Sequence, residues 1–295
     1  MRFISSASLF ILVGSMSVCR ALLISPTTAH RWRYAAVQPS ISPALLLNPS
    51  PQVLQGLALN SGLACLGTAK GQKVLTPSGL AHAWALGVML WGSLGWRGWS
   101  TCVVYLIGGS AVTKVKMAKK EALGIAEGRG GTRGPENVWG SAATAALCAL
   151  ASARWPARAA LLKIGFVAAL VSKLSDTCQS EIGKAYGKTT YLITTLKRVP
   201  AGTEGAVSAE GTAAGIVGSL VLSAYAVACG LVAPSALVPC ILAAIIATTA
   251  ESVIGACAQN RYKLLTNEVV NFIMTVVGAA AGVFFAVLMG AASGI

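Results

Sequence analysis

Between Lys173 and Lys184 the chain reads Lys-Leu-Ser-Asp-Thr-Cys-Gln-Ser-Glu-Ile-Gly-Lys. On a helix, at ~100° per residue, Lys173, Asp176, Thr177, Ser180, Glu181 and Lys184 fall within an arc of about 140°. Val171, Leu174, Cys178 and Ile182 point the other way. An apolar run from Ala159 to Val171 leads into this stretch and reads as a membrane helix. Two carboxylates and two ammonium groups on one face, at the end of such a helix, are costly unless they pair or hold a ligand. The plainer alternative is an interfacial helix end with ordinary salt bridges. The following segment, Gly187 to Gly205, is basic, hydroxyl-rich and glycine-rich. It offers Lys188, Lys197 and Arg198 as cations and Thr194, Thr195 and Thr203 as hydroxyls. Backbone amides near Gly202 and Gly205 suit an anion nest. Helix and loop together point to a metal and phosphate site.

Two other connections share this character. Lys114 to Arg133 is lysine-rich, although a solvated basic loop accounts for most of its individual lysines. Asn267 and Asn271 lie four apart and share a helix face. Asp176, Glu181, Glu210 and Glu251 are hard oxygen donors, and beside phosphate-binding cations they select Mg²⁺ over a soft metal. Glu251 is the single acid in the apolar run 240–258, which makes it a functional candidate by default. The eight cysteines form no CxxC pair, and His30 and His82 are the only histidines. A zinc site or disulfide framework is therefore not expected. Walker and protein-kinase signatures are missing, as is the D-G-x-x-A-R pattern of CDP-alcohol phosphotransferases.

The elements that must position these residues follow from composition. Of 295 residues, 55% are hydrophobic and 11% charged, with a mean hydropathy of +0.69. Soluble domains carry about 25% charged residues, so the chain reads as an integral membrane protein. Its apolar runs are continuous rather than alternating, which argues against a β-barrel. The expected fold is an all-α polytopic transmembrane helical bundle of about six to eight spans with its basic loops on one side. The candidate spans are 53–68, 77–96, 99–112, 138–153, 157–172, 212–232, 234–249 and 269–291. The formal net charge is +14, and all nine acidic residues lie between Glu121 and Glu268. A basic, acid-free N-terminal region argues for targeting sequence rather than nucleic-acid binding. Residues 1–25 resemble a signal peptide and 26–52 a disordered transit segment, the pair required by plastids with more than two membranes; a signal peptide followed by a secretory linker fits as well. Residues 53–295 form the single transmembrane domain.

At the charged helix the sequence resembles a known family. Ser175-Asp-Thr-x-x-Ser-Glu-Ile-Gly-Lys184, Leu192-Ile-Thr-Thr-x-Lys-Arg-Val-Pro-x-Gly-Thr-x-Gly205 and Gly211-Thr are similar to the core of a family of multi-pass membrane proteins. Its characterised plant member is the plastid phytyl-phosphate kinase of vitamin E synthesis. The loop from Gly109 to Gly134 and the segments Glu251-Ser-x-Ile-Gly255 and Leu265-Thr-Asn-Glu-x-Val-Asn-Phe272 carry the resemblance further, over roughly residues 55–293. Ala201 and Ala206 depart from it, standing where related sequences often have Arg and Gly.

The resemblance implies an enzyme in a plastid membrane. It would transfer a phosphoryl group from a nucleoside triphosphate, CTP foremost, to phytyl monophosphate, giving phytyl diphosphate for tocopherol synthesis. Asp176 and Glu181 would hold Mg²⁺, with Glu210 and Glu251 as further metal candidates. Lys173 and Lys184 would act on the reacting phosphates. Lys114, Thr194, Thr195, Lys197, Arg198, Gly202, Thr203 and Gly205 would bind phosphate. The alternative is a carrier or flippase for isoprenoid phosphates or other anionic lipids, which polar groups among membrane helices would also serve.

Overall fold

Thr76, Ser208 and Thr266 each precede a long apolar run, and each side chain accepts a backbone N–H from the first helical turn: Gly79 at 3.0 Å, Gly211 at 3.1 Å and Val269 at 3.4 Å. These caps satisfy amides that a helix start would otherwise leave unpaired. The computed structural model describes residues 50–69, 71, 74–259, 262 and 264–291. The targeting readings for residues 1–49 lie outside the described residues, as do Asn260, Arg261 and Lys263 in the basic stretch before Asn267.

Among the described residues the helices are α1 (Pro51–Ala69), α2 (Pro77–Thr113), α3 (Met117–Ala122), α4 (Pro135–Arg154), α5 (Ala159–Tyr186), α6 (Ala209–Ala228), α7 (Leu237–Ile254) and α8 (Asn267–Leu288). A two-stranded antiparallel pair, β1 (Tyr191–Leu192) and β2 (Ala206–Val207), ties the segment between α5 and α6. The first helix begins at Pro51, slightly before the expected boundary at Val53.

The two spans expected at 77–96 and 99–112 are arms of α2, which breaks at Gly95 with φ 66° and ψ −162°. A residue with a Cβ is strained at that φ. The chain doubles back there: Trp91 and Trp99 stack edge to face at 5.6 Å, and Leu86 and Cys102 line the same small cavity. A straight helix would separate Leu86 and Cys102 by about 24 Å. Asn60 of α1 fastens this hairpin by accepting from the Trp99 indole at 3.1 Å.

α5 is the axis of the bundle. It packs on α2, α4, α6, α7 and α8, and residues 164–175 are buried without interruption. Small residues allow its neighbours to approach, as expected for helices meeting in lipid. Added Cβ atoms at Gly211, Gly215 and Gly218 of α6 would meet Gln179, Ser175 and Cys178, so α6 runs antiparallel to α5. Gly278 and Gly282 of α8 approach Ser172 and Ala168 in the same antiparallel sense. α4 runs parallel to α8, with Gly140 against Glu268 and Thr144 sharing a 2.8 Å hydrogen bond with Thr275. The starts of α4, α6 and α8 and the end of α5 therefore meet at one end of the bundle.

α6, α8 and the stretch Pro234–Gln259 that contains α7 are long and apolar enough to cross a membrane by length and composition alone. Among the described residues these three meet that criterion, against the six to eight spans expected. The others are diluted: α5 by Lys163, Lys173 and Asp176, α4 by glycine, serine and threonine.

Overpacking a tight crossing costs about 1–3 kcal/mol. Gly211→Val and Gly282→Leu are therefore expected to lower the thermal midpoint of the detergent-solubilised protein. Ala213→Leu, on the exposed face of α6, should leave the midpoint in place. Unchanged melting of both glycine variants would refute this packing.

Candidate functional site

The charged face of α5 opens into a cavity of about 510 Å³ at the end where the helix termini meet. Lys173, Asp176, Thr177, Ser180, Glu181 and Lys184 all line it, as the helical wheel requires. Thr190 and residues 202–206 of the β1–β2 segment also line it, with residues 127–129 and 131–133 and with Glu251, Asn267 and Asn271. Burial is possible because the charges are matched. The Lys173 ammonium donates to Asp176 Oδ2 at 2.6 Å and to Asn271 Oδ1 at 2.9 Å, so Asn271 joins α8 to the site.

Glu181 is 3% exposed and is held from two sides. Lys184 lies 3.5 Å from its Oε1. Its Oε2 pairs with Lys120, which is fully buried and also donates to the Thr113 carbonyl at 2.6 Å. The reading of the first loop as solvated lysines fails at this residue: α3 docks on α5 through Lys120, and neighbouring Lys119 donates to the Ala185 carbonyl at 2.9 Å. Nothing in the sequence sets Lys120 apart from Lys119. The difference arises only when the short α3 presents one of them to Glu181.

The structure separates the other expected ligands. Gly202, Thr203 and Gly205 line the cavity; Lys114, Thr194, Thr195, Lys197 and Arg198 are exposed and do not. The hairpin is the reason. Leu192 N–H donates to the Lys197 carbonyl at 2.9 Å and Ile193 N–H to the Gly205 carbonyl at 3.1 Å, so residues 194–198 form its outer tip. Glu210 also lies outside the cavity, in the first turn of α6, where it accepts the Lys188 N–H at 3.4 Å. Four metal candidates thus become three in the cavity, and both oxygens of one, Glu181, face ammonium groups.

Glu251 is different. It accepts a hydrogen bond from the Ser252 hydroxyl at 3.3 Å, and the charges of Asp176, Lys173 and Glu204 act on it. Gly205, at φ 74°, packs against the Ser252 carbonyl and Ala256 so closely that a Cβ would clash, which brings Glu204 to the same end. Six carboxylates line the cavity, Glu127, Asp176, Glu181, Glu204, Glu251 and Glu268, against four cations, Arg129, Arg133, Lys173 and Lys184. The expected basic clamp is in fact a mixed site with an acidic excess. No group of three or more His, Cys, Asp or Glu among the described residues is arranged to hold a metal ion by itself. The donors fit Mg²⁺ of the kind that arrives with phosphates and keeps waters, using only one or two carboxylates.

Arg133 was not singled out by its sequence context. Its Nη1 donates to the Tyr105 hydroxyl at 2.9 Å, and no carboxylate among the described residues pairs with it. Arg129 donates to Asn137 at 2.9 Å, and its hydrogen bond to Glu136 holds that carboxyl below its usual range.

Residues 60–279 match the family described as Integral membrane protein DUF92. The chain is similar to the Uncharacterized membrane protein sll0875 of Synechocystis sp., with 54% identity over 231 residues, 78% of this chain and 90% of the relative. It is 43% identical to Protein VTE6, chloroplastic, of Arabidopsis thaliana over 250 residues, 83% of this chain and 74% of the relative. It is also similar to the Uncharacterized membrane protein MJ0933 of Methanocaldococcus jannaschii, at 36% over 121 residues, 41% of this chain and 50% of the relative. No solved structure matches. The chain belongs to the DUF92 family of integral membrane proteins.

Removing one member of a buried ion pair costs about 3–5 kcal/mol, whereas replacing both by apolar groups is often tolerated. Lys120→Met is thus expected to destabilise the protein strongly, and Lys120→Met with Glu181→Leu to recover much of the loss. Thermal unfolding of the two single variants and the double variant reads the coupling; additive losses would show the pair to be energetically irrelevant.

Proposed function

We propose that this DUF92 protein is a nucleotide-dependent kinase of an isoprenoid monophosphate, forming phytyl diphosphate from phytyl phosphate and CTP in a plastid membrane. The observation that carries this reading is the cavity itself: buried ammonium groups and carboxylates in one chamber, at the end of helices whose flanks belong in lipid. A C20 tail, at about 0.8 kcal/mol per buried CH₂, keeps its owner in the bilayer, so its phosphate must be met at such a helix end. The motifs at 175–205 and the similarity to a chloroplastic relative support the substrate and the compartment. The arms of α2, with α1, α4 and α5, would complete the spans around the site.

The acceptor is already mostly a dianion near neutral pH, its second pKa being about 6, so no base must remove a proton. One acceptor oxygen attacks the γ-phosphorus. The bond from that phosphorus to the β-bridging oxygen breaks, and its electron pair leaves with the nucleoside diphosphate. Lys173, Lys184 and Arg133 would hold the phosphates in line, with Thr203 and the amides near Gly202 and Gly205 assisting. Asp176 and Glu251 are the carboxylates proposed to hold Mg²⁺, with Glu204 near them. Bound with the nucleotide, Mg²⁺ supplies the positive charge that lets two polyanions approach. The acidic excess makes that contribution necessary: free nucleotide would be repelled, the magnesium complex accepted. Lys120 and Glu181 are positioning residues that hold the Lys114–Arg133 segment against α5.

The test is turnover by purified protein supplied with phytyl phosphate, Mg²⁺ and each nucleoside triphosphate. Asp176→Asn should lose at least ~10²-fold in rate, EDTA should stop the reaction, and Lys197→Gln, at the hairpin tip, should stay close to wild type. Wild-type turnover by Asp176→Asn would remove that residue from the site. No diphosphate with any nucleotide would overturn the kinase assignment and favour a carrier.

A further inference from the structure

A second, smaller cavity of about 40 Å³ lies between the two arms of α2 and the start of α4. Leu86, Cys102, Leu106, Val138 and Ala142 give it an apolar wall, and three of its lining residues, Arg133, Asn137 and Ser141, also line the large polar cavity. The two spaces therefore adjoin at Arg133, Asn137 and Ser141. Tyr105, 3% exposed, lines the small cavity and fixes the Arg133 guanidinium through its hydroxyl. Ile107, the residue after Leu106, is 63% exposed on the outside of the same arm.

We propose that this side pocket is the seat of the lipid substrate's first apolar carbons, with the phosphate against Arg133 and the remaining tail leaving between the α2 hairpin and α4. The inference rests on the reading of the large cavity as a lipid-phosphate site. Charge complementarity fixes the orientation: an alkyl phosphate entering the junction places its anion on the cation and its carbons on the apolar wall. Size sets the division. A space of about 40 Å³ exceeds the ~10–15 Å³ that one water requires but takes only a short stretch of chain, so the rest of a C20 tail stays in lipid. The pocket would thus read the branching and saturation of the carbons next to the phosphate.

Photo-crosslinking with two prenyl monophosphate probes in the full-length detergent-solubilised protein tests the seat without requiring turnover. A probe with its diazirine on the carbons beside the phosphate should label the 83–106 or 138–142 peptides; one with the diazirine at the tail end should not. Arg133→Gln should abolish the labelling. Ala142→Leu, which fills the pocket, should raise the KM for phytyl phosphate about tenfold, the equivalent of losing the burial of about two methylenes, with the KM for nucleotide unchanged. Headgroup-end labelling confined to the α5–α6 seam in a protein that turns over would overturn the seat and leave the kinase reading standing. Labelling at 83–106 or 138–142 without phosphoryl transfer from any nucleotide would support the seat and overturn the kinase. If Ala142→Leu fails to fold, the wild-type crosslink map still decides between these outcomes.

Discussion

Charges on α5 can be buried because they pair along the helix and because two of them, Lys173 and Glu181, also find partners from distant parts of the chain. Lys173 is matched by Asp176 on its own helix and by Asn271 from α8; Glu181 is matched by Lys184 and, across a long stretch of sequence, by Lys120. In a low-dielectric bundle, an unmatched ammonium or carboxylate at these depths costs several kcal/mol. The arrangement therefore demands that α3, α5 and α8 be in register at one end of the molecule. That demand accounts for the docking of α3, a short and highly charged helix, through the buried Lys120.

The rest of the bundle serves this register. Glycines at the α5–α6 and α5–α8 crossings bring backbones close enough that only a hydrogen fits between them and their neighbours. In lipid such packing replaces the hydrophobic drive that assembles soluble cores. The break at Gly95 performs a related service. By folding α2 back on itself, it brings the end of the second arm to the cavity, where Thr113 accepts from Lys120, and places Tyr105 beside Arg133.

The chamber produced in this way is not a simple cationic cup. Carboxylates outnumber cations along its wall, and the ion pairs with Lys120 and Lys173 engage two of them. Glu127, Glu204, Glu251 and Glu268 line it with no ion pair among the described residues. A wall of this composition differs from the purely cationic loop that the sequence suggests, because carboxylates from five different segments share it.

Much of this was legible in the sequence. Hydropathy marked the helices, the 3.6-residue period put six polar residues of α5 on one face, and spacing paired Asn267 with Asn271, because these properties depend on neighbours a few residues away. What only the tertiary structure decided depends on distant partners. Lys120 looks like any loop lysine until α3 meets Glu181. Lys197 and Arg198 look like phosphate ligands until the Leu192–Gly205 hairpin turns them to its tip. Arg133 acquires its position from Tyr105, on an arm of α2 that reverses at a glycine whose role composition does not reveal. Local periodicity fixes which face of a helix is polar; which charges share that face's chamber is set by long-range pairing, where burying an ion without its counterion costs more than any local preference can return.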